Sequence, residues 1–348
     1  MSAPAFDLPA RLEAREPGEA RGLARDDVRL LVANRLDGKV VHSRFRDLPQ
    51  FLAPGDLLVV NTSATLPAAL PATRADGTAL ELRLSTPAPG RDPERFWIVE
   101  LRSGDALFAA VEVAERLALP GNATVRILAP YAGVRLWLAR LDLPQPLGAY
   151  LSEHGHPIRY RYVARSWPLS VYQNVYAVEP GSAEMASAGR PFTTELITRL
   201  VAGGVLVTPV TLHTGVSSQE RHERPYPERY RVPEQTARLV NAVHAWGGRV
   251  IATGTTVVRA LETVARPDGS VTAGAGWTNL VVTPERGLWT INGLLTGLHE
   301  SESSHLDLLR AATGEELLAR SYGEAIDRGY RWHEFGDSQL ILGVKEHG

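Results

Sequence analysis

At 348 residues and 44% hydrophobic composition, the chain can bury a large core and form more than one domain. A net charge of −2 supplies no global positive field toward nucleic acid, although a local basic patch remains compatible with it, and the absence of cysteine excludes disulfides, iron–sulfur clusters, thiolate zinc and a cysteine nucleophile. Met1-Ser2-Ala3-Pro4-Ala5 carries no basic segment leading into an apolar run, and no uninterrupted apolar stretch reaches ~18 residues, so the expectation is a cytoplasmic protein with no membrane partner, monomeric by default.

Between about Leu66 and Leu151 the pattern is one of short alternating strands. Leu80, Leu82 and Leu84 share one face and Glu81 and Arg83 the other, after the turn signal Asp76-Gly77; similar runs are Phe96 to Leu101, Ala123 to Leu128 and Val134 to Leu141. An antiparallel barrel or sandwich follows. From Thr193 the period changes. Thr193 or Thr194 caps a helix with Leu196, Ile197, Leu200 and Val201 on one face, Gly203-Gly204 stops it, and a buried strand Val205 to Leu212 comes next. A helix begun by Pro233 carries Leu239, Val243 and Trp246 at helical spacing and ends at Gly247-Gly248. Alternating strands and helices imply parallel strands with helical crossovers, and such sheets bind ligands beyond the strands' carboxyl ends.

At that end three segments follow apolar runs: His213-Thr214-Gly215, Gly254-Thr255-Thr256 and Thr296-Gly297-Leu298-His299. They are expected to converge on one site. The second opens a helix, where backbone N–H groups and the helix dipole favour an anion and the threonines add hydroxyls. Arg259, three and four residues on, either faces the same cleft or pairs with Glu262 on a solvated face. His213 and His299 are acid/base candidates because imidazole titrates near neutrality; the alternative for each is a structural histidine bonded to a loop carbonyl. His154 and His156 lack a companion carboxylate cluster, and no metal is expected.

Pro54-Gly55-Asp56-Leu57-Leu58-Val59-Val60-Asn61, Val210 to Gly215, Ala252 to Glu262, Thr296 to His299, and Tyr330-Arg331-Trp332 through Gly336-Asp337 occur in the order seen in one family. The chain resembles the S-adenosylmethionine:tRNA ribosyltransferase-isomerases of queuosine biosynthesis, from about Phe6 to Ile341. The resemblance implies an α/β large domain (1–65 plus 156–348) with a mixed or parallel sheet, into which an all-β, barrel-like domain (66–155) is inserted. It implies that the ribosyl portion of S-adenosylmethionine, a consumed substrate rather than a cofactor, is transferred to a 7-aminomethyl-7-deazaguanine of tRNA and isomerised to an epoxycyclopentane, with loss of adenine and methionine. The sulfonium acidifies the adjacent C5′ protons, leaving the protein to supply a base, a seat for the methionine carboxylate and protonation of departing adenine. On this reading His213 and His299 are catalytic, and Gly215, Gly254, Thr255, Thr256 and Arg259 bind S-adenosylmethionine. Asp337 either steadies a histidine or hydroxyl or caps a turn.

Some family runs are altered. Pro191 stands where the family has a histidine, beside the added charge of Arg190, and Val216-Ser217-Ser218-Gln219-Glu220 replaces a Gly-Thr-Phe-x-Pro-Val run. An Asn-Thr-Arg-Val run becomes Thr62-Ser63-Ala64-Thr65, and Phe-His-Leu-Pro becomes Leu298-His299-Glu300-Ser301. These changes keep two other functions open: an S-adenosylmethionine-consuming enzyme with a small-molecule acceptor, and an inactive RNA-binding or scaffold paralogue. Arg159, Arg161 and Arg165, interleaved with Tyr160 and Tyr162, are the candidate RNA contacts; the arginine-rich run Arg221 to Arg231 is diluted by Glu220, Glu223 and Glu228.

Overall fold

The computed structural model describes residues 8–216, 226–300 and 305–344. A nine-stranded mixed sheet runs Gly274–Thr278, Glu228–Val232, Leu206–Leu212, Leu57–Asn61, Val250–Thr253, Gly293–Gly297, Ser338–Leu342, Arg29–Asn34, Val40–Arg44. Its centre, from Leu206–Leu212 to Gly293–Gly297, is parallel. Ser338–Leu342 then turns antiparallel to Gly293–Gly297, while the N-terminal Arg29–Asn34 lies parallel to it.

Central strands buried on both faces should be continuously apolar, and Leu57-Leu58-Val59-Val60 is. Alternate side chains enter different cores: Leu57 and Val59 pack with Val240, Val257 and Leu309, whereas Leu58 and Val60 pack with Phe45, Leu196 and Leu200. Helix Thr194–Ala202 is capped by the Thr193 hydroxyl, which accepts from the Leu196 N–H at 3.1 Å.

The second body is a closed antiparallel barrel of six strands, Ala69–Thr73, Ala79–Pro87, Phe96–Ser103, Arg116–Leu119, Ala123–Ala132 and Leu136–Asp142, the last pairing back with Phe96–Ser103. Closure removes the unpaired edges an open sheet would present. Leu82, Leu84, Val99, Leu101, Val125 and Ile127 fill it. The strand texture expected as far as Leu151 ends earlier. Leu147–His154 is a helix whose Leu147, Tyr150 and Leu151, at i, i+3 and i+4, pack on the barrel core.

Candidate active site

Because the central strands are parallel, their carboxyl ends meet along one edge. There a cleft of about 690 Å³ opens between sheet and barrel, within the range of small-molecule sites. Thr214 and Gly215, Gly254 to Thr256, and Thr296 to His299 all line it. So do Arg83 and Ser85 from the barrel. Asn61 ties these ends together. Its amide donates to the Leu212 carbonyl at 2.9 Å and the Thr256 hydroxyl at 3.2 Å, and its carbonyl accepts from the N–H groups of Leu212 and Ser63.

Gly254 makes the strand-to-helix turn at φ 94° and ψ 157°, a region essentially closed to other residues, and an added Cβ would stand 3.2 Å from that of Ala188. Helix Thr255–Val264 follows with its first turn on the cleft. Arg259 faces the cleft and not solvent. It pairs with Glu228, and donates to the carbonyls of Leu280 at 3.1 Å and Thr278 at 3.3 Å. Glu262, the alternative partner, is buried elsewhere, held by Arg286 at 2.9 Å and by the N–H groups of Trp289 and Thr290. Glu228 also accepts from the Gly215 N–H at 3.0 Å and so couples the glycine loop to the arginine. In the sequence Glu228 is only a dilution of a charged run; no local signal marks a carboxylate whose partner lies on another element.

The two histidines occupy different places. His299 lines the cleft, its Nε2 3.0 Å from the Thr296 hydroxyl, with the His305 ring 4.7 Å away. Burial, with like charge from His305 and His333, holds it well below the usual imidazole range, so it is neutral near pH 7. His213 is absent from the cleft wall. Its Nδ1 lies 2.7 Å from the Ser63 hydroxyl, which meets the Ser182 hydroxyl at 2.6 Å, and that hydroxyl accepts from the Thr214 N–H at 3.0 Å. Burial and the nearby Arg229 push His213 down to about 4.

Asp337 also lies outside the cleft wall. Its carboxylate accepts from the N–H groups of Arg29 and Arg331, both at 2.7 Å, which fastens the start of the N-terminal strand to the loop before the last one. Of its two readings this geometry is the turn-capping one. Arg159 and Arg161 line the cleft, Arg161 exposed and Arg159 donating to the Val163 carbonyl at 2.8 Å, whereas exposed Arg165 lies outside it, 4.1 Å over the Trp167 ring. Arg190 is buried against Glu19 at 3.0 Å, which cancels the charge beside Pro191. Arg221 to Pro225, Ser217 to Glu220 and Ser301 lie outside the described residues. His154 packs tilted against the Tyr150 ring, 4.7 Å between centroids, and His156 meets Glu81 at 3.1 Å.

The family described as queuosine biosynthesis protein matches residues 1–341. An S-adenosylmethionine:tRNA ribosyltransferase-isomerase of Symbiobacterium thermophilum is 36% identical, covering 97% of this chain and 98% of its own length. The one of Thermus thermophilus is also 36% identical, with the same coverage. Among solved structures, a crystal structure of S-adenosylmethionine tRNA ribosyltransferase from Thermotoga maritima is 30% identical, with a TM-score of 0.55 over 97% of this chain and 99% of that one.

Proposed function

The chain belongs to the queuosine biosynthesis protein family, and on that footing we propose that it is an S-adenosylmethionine-dependent ribosyltransferase-isomerase acting on the 7-aminomethyl-7-deazaguanine of tRNA. One observation supports this most: an ion pair, Arg259 and Glu228, faces the same 690 Å³ cleft as a neutral, half-buried His299. The amino-acid end of S-adenosylmethionine carries a carboxylate and an ammonium. Arg259 and the first turn of its helix suit the carboxylate, Glu228 suits the ammonium, and Gly215 lets the backbone close in. Thr255 and Thr256 add hydroxyls at the same end.

His299 is the base in this reading. Its uncharged imidazole, oriented by the Thr296 hydroxyl, accepts a C5′ proton acidified by the sulfonium, and the imidazolium so formed is the acid available to departing adenine. His213 acts at one remove, steadying Thr214 and Gly215 through Ser63 and Ser182. Arg161 on the rim is the leading phosphate contact, with Arg159 held beside it. None of the described helices is long and apolar enough to cross a membrane.

The test is incubation with S-adenosylmethionine, with and without tRNA bearing the aminomethyl precursor, followed by mass spectrometry for adenine and methionine. RNA-dependent release of both is expected. Release without RNA would replace the tRNA acceptor by a small molecule, and no release would remove the activity.

A further inference from the structure

One wall of the cleft carries a ladder of parallel rings that the reaction as outlined does not use. Tyr160 stacks on Tyr162 at 5.7 Å and 12°, and Tyr162 on His333 at 3.9 Å and 11°. All three line the cleft. Each phenol donates to a carboxylate on the same wall, Tyr160 to Glu184 and Tyr162 to Glu334. His333 holds a left-handed φ of 73°, a conformation that costs a non-glycine residue energy and that gathers at functional sites. Its side chain is 9% exposed, yet Nε2 makes no hydrogen bond among the described residues, with the Glu300 carboxylate at 3.4 Å. A buried polar atom left in this way, on a cleft wall, offers a bond that a ligand can complete.

We propose that this ledge is the acceptor subsite, taking a flat heterocycle that bears a primary ammonium, with Glu334 receiving the ammonium and one of its protons. Stacked rings offer a π-face to a splayed base and attract a cation lying over them. Such an amine reaches the site protonated and is no nucleophile in that form. At Glu334 an ammonium N–H bond breaks, the nitrogen keeps the electron pair, and an O–H bond forms on the carboxylate. Burial raises the proton affinity of Glu334, partly offset by the Tyr162 donor and by Arg190. Tyr172 also feels the charge of Glu334; Glu300 and Tyr172 bear on Tyr162, and Arg161 and Glu300 lie by the neighbouring His333.

The subsite rests on the transferase reading. Glu334→Gln keeps the shape and an acceptor for Tyr162 but cannot take the proton. With precursor-bearing tRNA, kcat at neutral pH is expected to fall ~10²–10⁴-fold and to recover as pH rises toward the amine's own pKa of about 10, with S-adenosylmethionine affinity unchanged. An unaltered kcat and pH profile in a folded variant would overturn the subsite alone. If Glu334→Gln does not fold, Tyr162→Phe, which keeps the ring and removes the donor to the carboxylate, is expected to lower kcat roughly tenfold and shift the acidic limb of its pH profile; no change in either sinks the proposal. An unmutated protein that releases no adenine takes both readings down.

Discussion

At the scale of single residues, chemistry and placement separate. His213 and His299 look alike in the sequence, each after an apolar run beside small or hydroxyl residues, yet only His299 reaches the cleft. The other is turned against Gly181, where an added Cβ would lie 2.4 Å from its Nδ1. His299→Gln is therefore expected to slow turnover ~10²–10⁴-fold with little change in ligand affinity, and His213→Gln to slow it far less, because an acid/base group acts on the reacting atoms and a loop support does not. Steady-state kinetics alongside calorimetry checks this; equal losses in the two variants would put His213 back in the chemistry. The depressed pKa of His213 has its own consequence. A folded value near 4 against about 6.5 unfolded means the unfolded chain binds more protons in that window, so this histidine draws stability down as pH falls from 6.5 toward 4. Asp337 and Glu262 show the converse: carboxylates beside a motif suggest chemistry or surface pairing, but both are consumed by backbone N–H groups. Buried acceptors are almost always satisfied, and which donors do so depends on elements that can lie hundreds of residues away.

Among elements, the turn at Gly254 decides the most. A strand must stop and a helix begin within one residue, and only a residue free to hold φ 94° with ψ 157° does this without strain. Gly254→Ala is expected to cost about 1–3 kcal/mol of stability and to weaken S-adenosylmethionine binding, since Thr255, Thr256 and Arg259 all follow from that turn. Thermal unfolding with calorimetry would show it; native stability and affinity together would mean the turn tolerates a side chain. The Pro54-Gly55-Asp56 motif is explained at this scale too: Asp56 clamps Arg249 at 3.0 Å and accepts from the Ala53 N–H at 2.7 Å, which locks the entries of two adjacent parallel strands. Helical spacing alone puts Trp246 on the apolar face with Leu239 and Val243. It instead follows the last turn of helix Glu234–Ala245, is 55% exposed, and donates to the Gly55 carbonyl at 3.3 Å, because Gly247-Gly248 ends the helix just beyond it. In the barrel, Glu81 is held down to about 2 despite burial, by His156 and Arg83.

Across the whole molecule, a net charge of −2 supplies no global positive field for RNA, so the proposed contact is local: Arg161 on the cleft wall and Arg165 beyond it, both exposed, with Arg159 half-buried beside them. Replacing Arg161 and Arg165, the two exposed members, by Gln is expected to lower the salt slope of log K for tRNA by up to ~1.4–1.8, at ~0.7–0.9 for each phosphate no longer neutralised, while adenine release from bound substrate proceeds. Filter binding across a salt series measures it; an unchanged slope would move the RNA interface off this rim. Local pattern alone settles the barrel strands and the central strands, though not the helix Leu147–His154. Alternating Leu80, Leu82 and Leu84 mean a strand with one buried face, the apolar run Leu57 to Val60 means a strand buried on both, and ordered motifs name the family, because periodicity and turn chemistry are local properties of the chain. Packing in three dimensions settles the rest: which strand ends meet, that the barrel wall closes the cleft, that Glu228 joins Arg259, and that Tyr160, Tyr162 and His333 stack beside Glu334. Apart from Tyr160 on Tyr162, those pairings join residues far apart in sequence, and their geometry comes from strand register and closure of the sheet, which no local pattern encodes.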